Sequence, residues 1–332
     1  MELVFLLYFL TIIFFSYYFK GKKYFSNYSG DNHQLFSNEK NIPLVGGMFL
    51  VMPIILINYH NFFYILIVLS IFILGLLSDR KVIVSAKQRF LIQILLIFFS
   101  VIFLDLKILS SRLIFFDNLL DLFYFNLIFT SFCLLILING SNFIDGLNGL
   151  LLIYMTIVIY VLLDTEVKLL FEGNDSYIQF LLITLIVITA LNLSNLLMLG
   201  DAGAYILSFF AGYLIILYHN SNPNISPYFF ITLLWYPCYE NLFSIIRKLK
   251  NKFSPLVPDN NHLHQLIYQR FSKIINNKVI ANNVSSILIS IINCIILLLA
   301  ARYPYESNYQ IKIILTSIFL YTSTFFILNS NK

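Results

Sequence analysis

Four short segments carry residues whose types and spacing suit polar chemistry. The longest is Asn139-Gly140-Ser141-Asn142-Phe143-Ile144-Asp145-Gly146-Leu147-Asn148-Gly149-Leu150, which sets three amides, one carboxylate and three glycines between apolar runs, with no Lys or Arg. Amides, a carboxylate and open backbone suit a polar ligand that needs both donors and acceptors. Leu199-Gly200-Asp201-Ala202-Gly203-Ala204-Tyr205 places a single acid where an apolar stretch begins. Such an acid caps a helix, or holds a divalent ion that it shares with phosphate oxygens. Gly75-Leu76-Leu77-Ser78-Asp79-Arg80-Lys81, followed by Ser85, Lys87 and Arg89, puts an acid beside bases. It reads equally as an interfacial salt-bridge cluster and as a carboxylate over a phosphate site. Ile42-Pro43-Leu44-Val45-Gly46-Gly47 allows a tight turn and close backbone approach, or simply joins a loop to a helix.

A fifth segment, Arg247 to Lys278, contains Pro258-Asp259-Asn260-Asn261-His262-Leu263-His264-Gln265. Histidines at i and i+2 do not share a helix face, which disfavours a helical zinc pair. On a loop, His262 and His264 with Arg247 or Arg270 would grip phosphate oxygens; the plainer reading is a solvated basic loop.

These segments must be positioned by membrane helices. The 332 residues are 59% hydrophobic and only 11% charged, with mean hydropathy +0.84, whereas soluble chains carry about 25% charged residues. A spanning helix needs about 20 mostly apolar residues. Eleven runs approach that length: 2–19, 42–58, 62–77, 88–104, 122–138, 149–163, 177–193, 203–218, 227–246, 283–300 and 311–328. The expectation is an all-α polytopic bundle of about eleven transmembrane helices, forming one domain over 1–332. The first run lacks a basic start and a small-residue cleavage site, so it reads as an anchor and not a cleaved signal.

Basic residues orient the chain. With the N-terminus outside and the C-terminus in the cytoplasm, Lys20, Lys22, Lys23, Lys40, Arg80, Lys81, Lys87, Arg89, Arg247, Lys248, Lys250, Lys252, Arg270, Lys273, Lys278 and Lys332 fall inside. Only Lys107, Arg112, Lys168, Arg302 and Lys312 fall outside, where Asp105, Asp117, Asp121, Asp164, Glu166, Glu172 and Asp175 also lie. That bias has the sign of the positive-inside rule and puts all the polar segments on one face. The net charge of +5 is explained by lipid headgroups and topology, so no nucleic-acid partner is expected. Cys133, Cys238 and Cys294 sit in apolar runs without metal-binding spacing.

In this order the segments resemble the polyprenyl-phosphate N-acetylhexosamine-1-phosphate transferases. These are the glycosyltransferase family 4 type enzymes that initiate O-antigen and capsule assembly, related to the phospho-MurNAc-pentapeptide translocase. NGSNFIDGLNGL and LGDAGAY are the specific parts. The resemblance implies a Mg²⁺-dependent enzyme (with Mn²⁺ as a substitute) of the bacterial cytoplasmic membrane. It would move a sugar-1-phosphate from a UDP-sugar to undecaprenyl phosphate; a homodimer is compatible with it. It makes Asp201 the metal ligand and Asp79, Asp145, His262 and His264 the catalytic candidates. Gly46, Gly47, Lys87, Arg89, Asn139, Asn142 and Arg247 become candidate substrate-binding residues.

Three departures from the family pattern stand out: Ser78 replaces the first acid of an Asp pair, Asn148 the second acid of a DGxDG run, and Gln265 the last His of an HxHH run. The rival readings are a transporter, which would place ionisable residues near mid-membrane, and a non-catalytic assembly protein. The acids gather at inner span ends apart from Glu240, which sits in an apolar span just after Pro237 and reads first as an ion pair near the inner interface.

Overall fold

The computed structural model describes residues 2–22, 24–25, 42–164, 175–254 and 261–330. Lys23, Lys40, Glu166, Lys168, Glu172, Lys332 and the Pro258-Asp259-Asn260 stretch lie outside them. The regular elements among the described residues are helices: α1 (Glu2–Lys22), α2 (Gly46–Ile57), α3 (Phe62–Asp79), α4 (Ala86–Phe103), α5 (Ile114–Leu120), α6 (Phe123–Ile144), α7 (Leu150–Asp164), α8 (Asp175–Leu193), α9 (Gly200–Ser221), α10 (Pro227–Leu233), α11 (Trp235–Lys250), α12 (Leu263–Ser272), α13 (Lys278–Arg302) and α14 (Ser307–Ser330). A helix satisfies its backbone groups internally, which lipid demands of any spanning segment.

Eight of these helices are long and apolar enough to cross a bilayer, and α10 with α11 makes a ninth if that pair, bent by 75°, is one span. The apolar α2 and α7 are shorter. Each of the eleven runs read from the sequence therefore coincides with a helix or with the bent pair. Two boundaries differ in a way that matters. Helix α6 continues to Ile144, so Asn139 to Phe143 form its last turns and are not loop; only Asp145–Gly149 is irregular. His262 and His264 likewise do not lie on a loop, because His262 is the N-cap of α12 and His264 lies in its first turn.

Helix α9 is buried along nearly its whole length, with α2, α3, α6, α7 and α10 packed around it. Close approach comes from small residues, as membrane bundles without a hydrophobic drive between helices require. A Cβ on Gly75 of α3 would overlap the backbone of Ala202, and one on Gly47 of α2 would stand 2.5 Å from the nitrogen of Gly203. Large apolar side chains such as Leu7, Phe62, Leu95, Ile291 and Phe319 cover the outside of the bundle, where lipid is their solvent. The protein is a multi-pass membrane protein.

At the end of the bundle away from Asp201, Arg112 donates to the carbonyls of Tyr305 and Asn224 and to the Ser307 hydroxyl, tying three inter-helix connections together.

Candidate active site

The site is built on the first turn of α9, whose leading backbone N–H groups have no helical acceptor. Asp79, the last residue of α3, supplies it: the N–H of Asp201 donates to Oδ1 at 2.8 Å and that of Ala202 to Oδ2 at 3.1 Å. Gly200 enters the helix at φ +77°, and a Cβ there would stand 2.7 Å from Asp79 Oδ2. Asp79 thus fastens α3 to α9 and fixes Asp201. Both its oxygens accept from that helix end.

Asp201 is encircled by donors from four helices. Its Oδ2 receives the Ser78 hydroxyl at 2.5 Å, Arg89 NH1 at 3.2 Å and the Tyr205 hydroxyl at 3.3 Å. Its Oδ1 receives Asn142 Nδ2 at 2.7 Å. Arg89 NH1 also donates to Ser78 Oγ at 2.8 Å. Asp201, Asn142 and Arg89, singled out separately in the sequence, are therefore one cluster. Ser78 and Tyr205 join it unforeseen: Ser78 stood out only as a departure, and Tyr205 follows from its i+4 spacing to Asp201.

Asp145 follows the end of α6, half-buried, and its carboxyl makes no hydrogen bond among the described residues. Burial, then the Asp201 and Asp79 carboxylates, push it well above the usual carboxylate range. Mutually opposed acids with amide and hydroxyl neighbours suit a hard cation. Among the described residues no three His, Cys, Asp or Glu side chains stand close enough to hold a metal by themselves. An ion of the Mg²⁺ kind does not need them, since it takes one or two carboxylates and completes its shell with water and phosphate oxygens. The donor set at Asp201 and Asp145 fits that kind of ion.

The turn after Asp145 is held by amides. Asn148 is buried; its N–H donates to Asn282 Oδ1 at 2.8 Å, and its Nδ2 to Asn195 Oδ1 at 2.9 Å and Asn283 Oδ1 at 3.1 Å. Asn283 in turn donates to the Leu193 carbonyl, and the N–H of Gly149 (φ +74°) meets Asn192 Oδ1. Position 148 is thus a strut between α7, the α8–α9 connection and α13, which accounts for an amide where the family pattern has an acid. Asn148→Asp would face two carbonyl oxygens with an acceptor-only group. We expect it to lower stability by about 1–3 kcal/mol, measured by thermal unfolding in detergent, without raising activity.

The histidines form a second cluster. Glu240 on α11 is 1% exposed and accepts from His262 Nδ1 at 2.9 Å, while His264 Nδ1 lies 4.0 Å from its other oxygen. The two imidazoles lie nearly parallel, 5.6 Å apart, and His262 packs on Phe143. His264 Nε2 abuts Gly146, where a Cβ would come within 2.9 Å. Burial holds the His264 imidazole down to about 3, so it is neutral at physiological pH. Gln265 accepts the His262 N–H at 3.3 Å, a capping contact that explains the third departure.

His264 has a consequence for stability. Its folded-state value lies below the ordinary 6.5, so on acidification the unfolded chain gains a proton that the fold refuses. Stability is unaffected above pH 6.5 and falls below it. Between pH 7 and pH 5 this one group should cost about 2 kcal/mol. His264→Gln should show a correspondingly shallower fall in melting temperature, and an unchanged slope would refute the assignment.

Other candidates stand apart from the cluster. Gly46 and Gly47 give their N–H groups to the carbonyls of Met198 and Leu199, so they join α2 to α9 and offer no donor to a substrate. Asn139 donates to Leu135 of its own helix. Arg247 turns to Ser244 and the Phe325 ring, and Lys87 is exposed on the first turn of α4. Lys248 is buried, with its Nζ 6.0 Å over the ring of Phe143, the residue after Asn142. Its place in a run of four basic residues hid it.

Residues 61–219 match the model of glycosyl transferase family 4. That match, just under half of the chain, and the curated relatives agree with the resemblance its motifs carry to the polyprenyl-phosphate hexosamine-1-phosphate transferases. The chain is 24% identical over 242 residues to an undecaprenyl-phosphate alpha-N-acetylglucosaminyl 1-phosphate transferase of Thermotoga maritima, covering 71% of this chain and 72% of the relative. It is 28% identical over 244 residues to the protein of the same name from Escherichia coli K12, covering 68% of this chain but only 65% of the relative, just under two thirds of its length.

Proposed function

We propose that the protein transfers N-acetylglucosamine 1-phosphate, or another N-acetylhexosamine 1-phosphate, from a UDP-sugar to undecaprenyl phosphate, releasing UMP and initiating a surface polysaccharide. The observation that carries this reading is Asp201, fixed by Asp79 at the head of a buried helix, with an Asp145 carboxyl nearby that makes no hydrogen bond among the described residues. In this reading the chain forms one domain of eleven spans, with α2, α7 and the bent α10–α11 pair each crossing once. The site faces the cytoplasm of the bacterial inner membrane, as the asymmetry of basic residues supports.

An oxygen of the lipid phosphate attacks the sugar-proximal phosphorus, and the bond from that phosphorus to the oxygen of UMP breaks. Two anions must meet, so charge neutralisation dominates the barrier. Mg²⁺, held by Asp201 and Asp145, would supply that neutralisation for the diphosphate and the departing UMP. Asn142 orients the Asp201 carboxylate, and Arg89 brings a positive charge to the same spot. A phosphomonoester with a second pKa near 6 is largely dianionic at neutral pH, so the acceptor needs no protein base, in keeping with Ser78 and with an Asp79 committed to a helix end. Glu240, the residue favouring a transporter, is instead paired with His262.

The test is UMP release by the purified protein with undecaprenyl phosphate, Mg²⁺ and a panel of UDP-sugars. Release that depends on lipid and selects one sugar supports the proposal and names the donor. No release from any sugar by a folded preparation contradicts it.

A further inference from the structure

The Ser78 hydroxyl stands between two charged groups, donating to Asp201 Oδ2 and accepting from Arg89 NH1. Arg89 itself reaches the same oxygen. With the Tyr205 hydroxyl, Oδ2 accepts three donors, which leaves it no lone pair for a further ligand, since a carboxylate offers about four sites over both oxygens. A cation that takes Oδ2 must therefore displace a donor. Arg89 is the one an incoming ion would expel: its side chain is 34% exposed, and its positive charge would be repelled by the ion, whereas Ser78 and Tyr205 are neutral donors.

An acid in place of Ser78 would change this arrangement. A carboxylate there would oppose Asp201 and compete for the guanidinium, whereas the hydroxyl is neutral and bridges the two. We propose that Arg89 is a stand-in cation on Asp201, set in place by Ser78 as a positioning residue, and that a divalent ion displaces it toward the anionic substrate. The inference rests on the metal reading of Asp201 given above. It gives Ser78 a function that its departure from the family pattern does not suggest: it couples release of the guanidinium to arrival of the ion. The site exchanges one positive charge for another at Asp201, and the freed Arg89 meets the phosphate.

The experiment is Mn²⁺ binding to the full-length protein in detergent, without substrates, followed by electron paramagnetic resonance of the free ion. Arg89→Gln removes the competitor, and should bind Mn²⁺ about fivefold more tightly than the wild type, the span expected for a partly exposed pair. Ser78→Ala, which loosens Arg89 without removing its charge, should shift in the same direction by less. General damage to the site would instead weaken binding in both variants. Asp201→Asn is the control. If it loses Mn²⁺ binding while Arg89→Gln binds no more tightly than wild type, the stand-in role is overturned and the metal site stands. If Asp201→Asn binds Mn²⁺ as the wild type does, the metal reading fails and this inference fails with it.

Discussion

Asp201→Asn should abolish lipid-dependent UMP release, by at least about 10²-fold, the scale of losing one preorganised electrostatic contact to a transition state. The fold should survive. Asp79 caps the backbone of residue 201 and not its side chain, so the helix end is untouched. The amide presents one oxygen where the carboxylate presented two, and Arg89 loses a partner that is itself partly exposed; that costs about 1 kcal/mol or less. Activity and melting temperature measured on one preparation would separate the two effects. A variant that keeps more than about a tenth of wild-type activity would remove Asp201 from the centre of the reaction.

The second large effect is structural. Gly75→Val should prevent the protein from reaching its folded state, or lower its stability by at least about 3 kcal/mol. Its Cβ would overlap Ala202 Cα and crowd the nitrogen of the same residue, so α3 would have to leave α9. Ser78 and Asp79, one turn further along α3, would go with it. The internal control is Gly21→Ala on α1, where an added Cβ meets nothing within 4 Å; there the better helix propensity of alanine should leave stability unchanged or slightly raised. Yield of monodisperse protein and melting temperature would show the contrast. Equal behaviour of the two variants would mean that the α3–α9 contact does not hold the site.

The bundle was legible because lipid imposes long apolar runs, and those runs need no partner to be recognised. The short, buried α2 was visible for the same reason. What the sequence concealed is where helices end. Asn139 to Phe143 look like loop because Asn, Gly and Ser are poor helix formers, yet α6 continues through them. Its Gly140 is pressed against the Pro237 carbonyl of α11, so packing overrides propensity. Periodicity likewise placed the histidines outside a helix face, while Glu240, 22 residues earlier, is the partner that turns both rings inward.

The site was half legible. Asp201, Asn142 and Arg89 meet as their motifs suggested, because each lies at the same end of a span. Gly46 and Gly47 were read as allowing close backbone approach; their N–H groups close on Met198 and Leu199, a long-range pairing that no local pattern encodes. The three departures were the least legible of all. Ser78, Asn148 and Gln265 look like losses beside the family pattern, and each has its own partner here: Arg89 with Asp201, the Asn195–Asn283 pair, and the N–H of His262.

The central claim is that the lipid phosphate attacks the sugar-proximal phosphorus and not the sugar carbon. A UDP-sugar carrying ³²P at the sugar-proximal position separates the alternatives in one extraction after incubation with protein, undecaprenyl phosphate and Mg²⁺. Sugar-1-phosphate transfer carries the label into the organic phase and leaves UMP in the water. Label retained in water as UDP, with sugar alone on the lipid, would mean attack at the sugar carbon and would contradict the account.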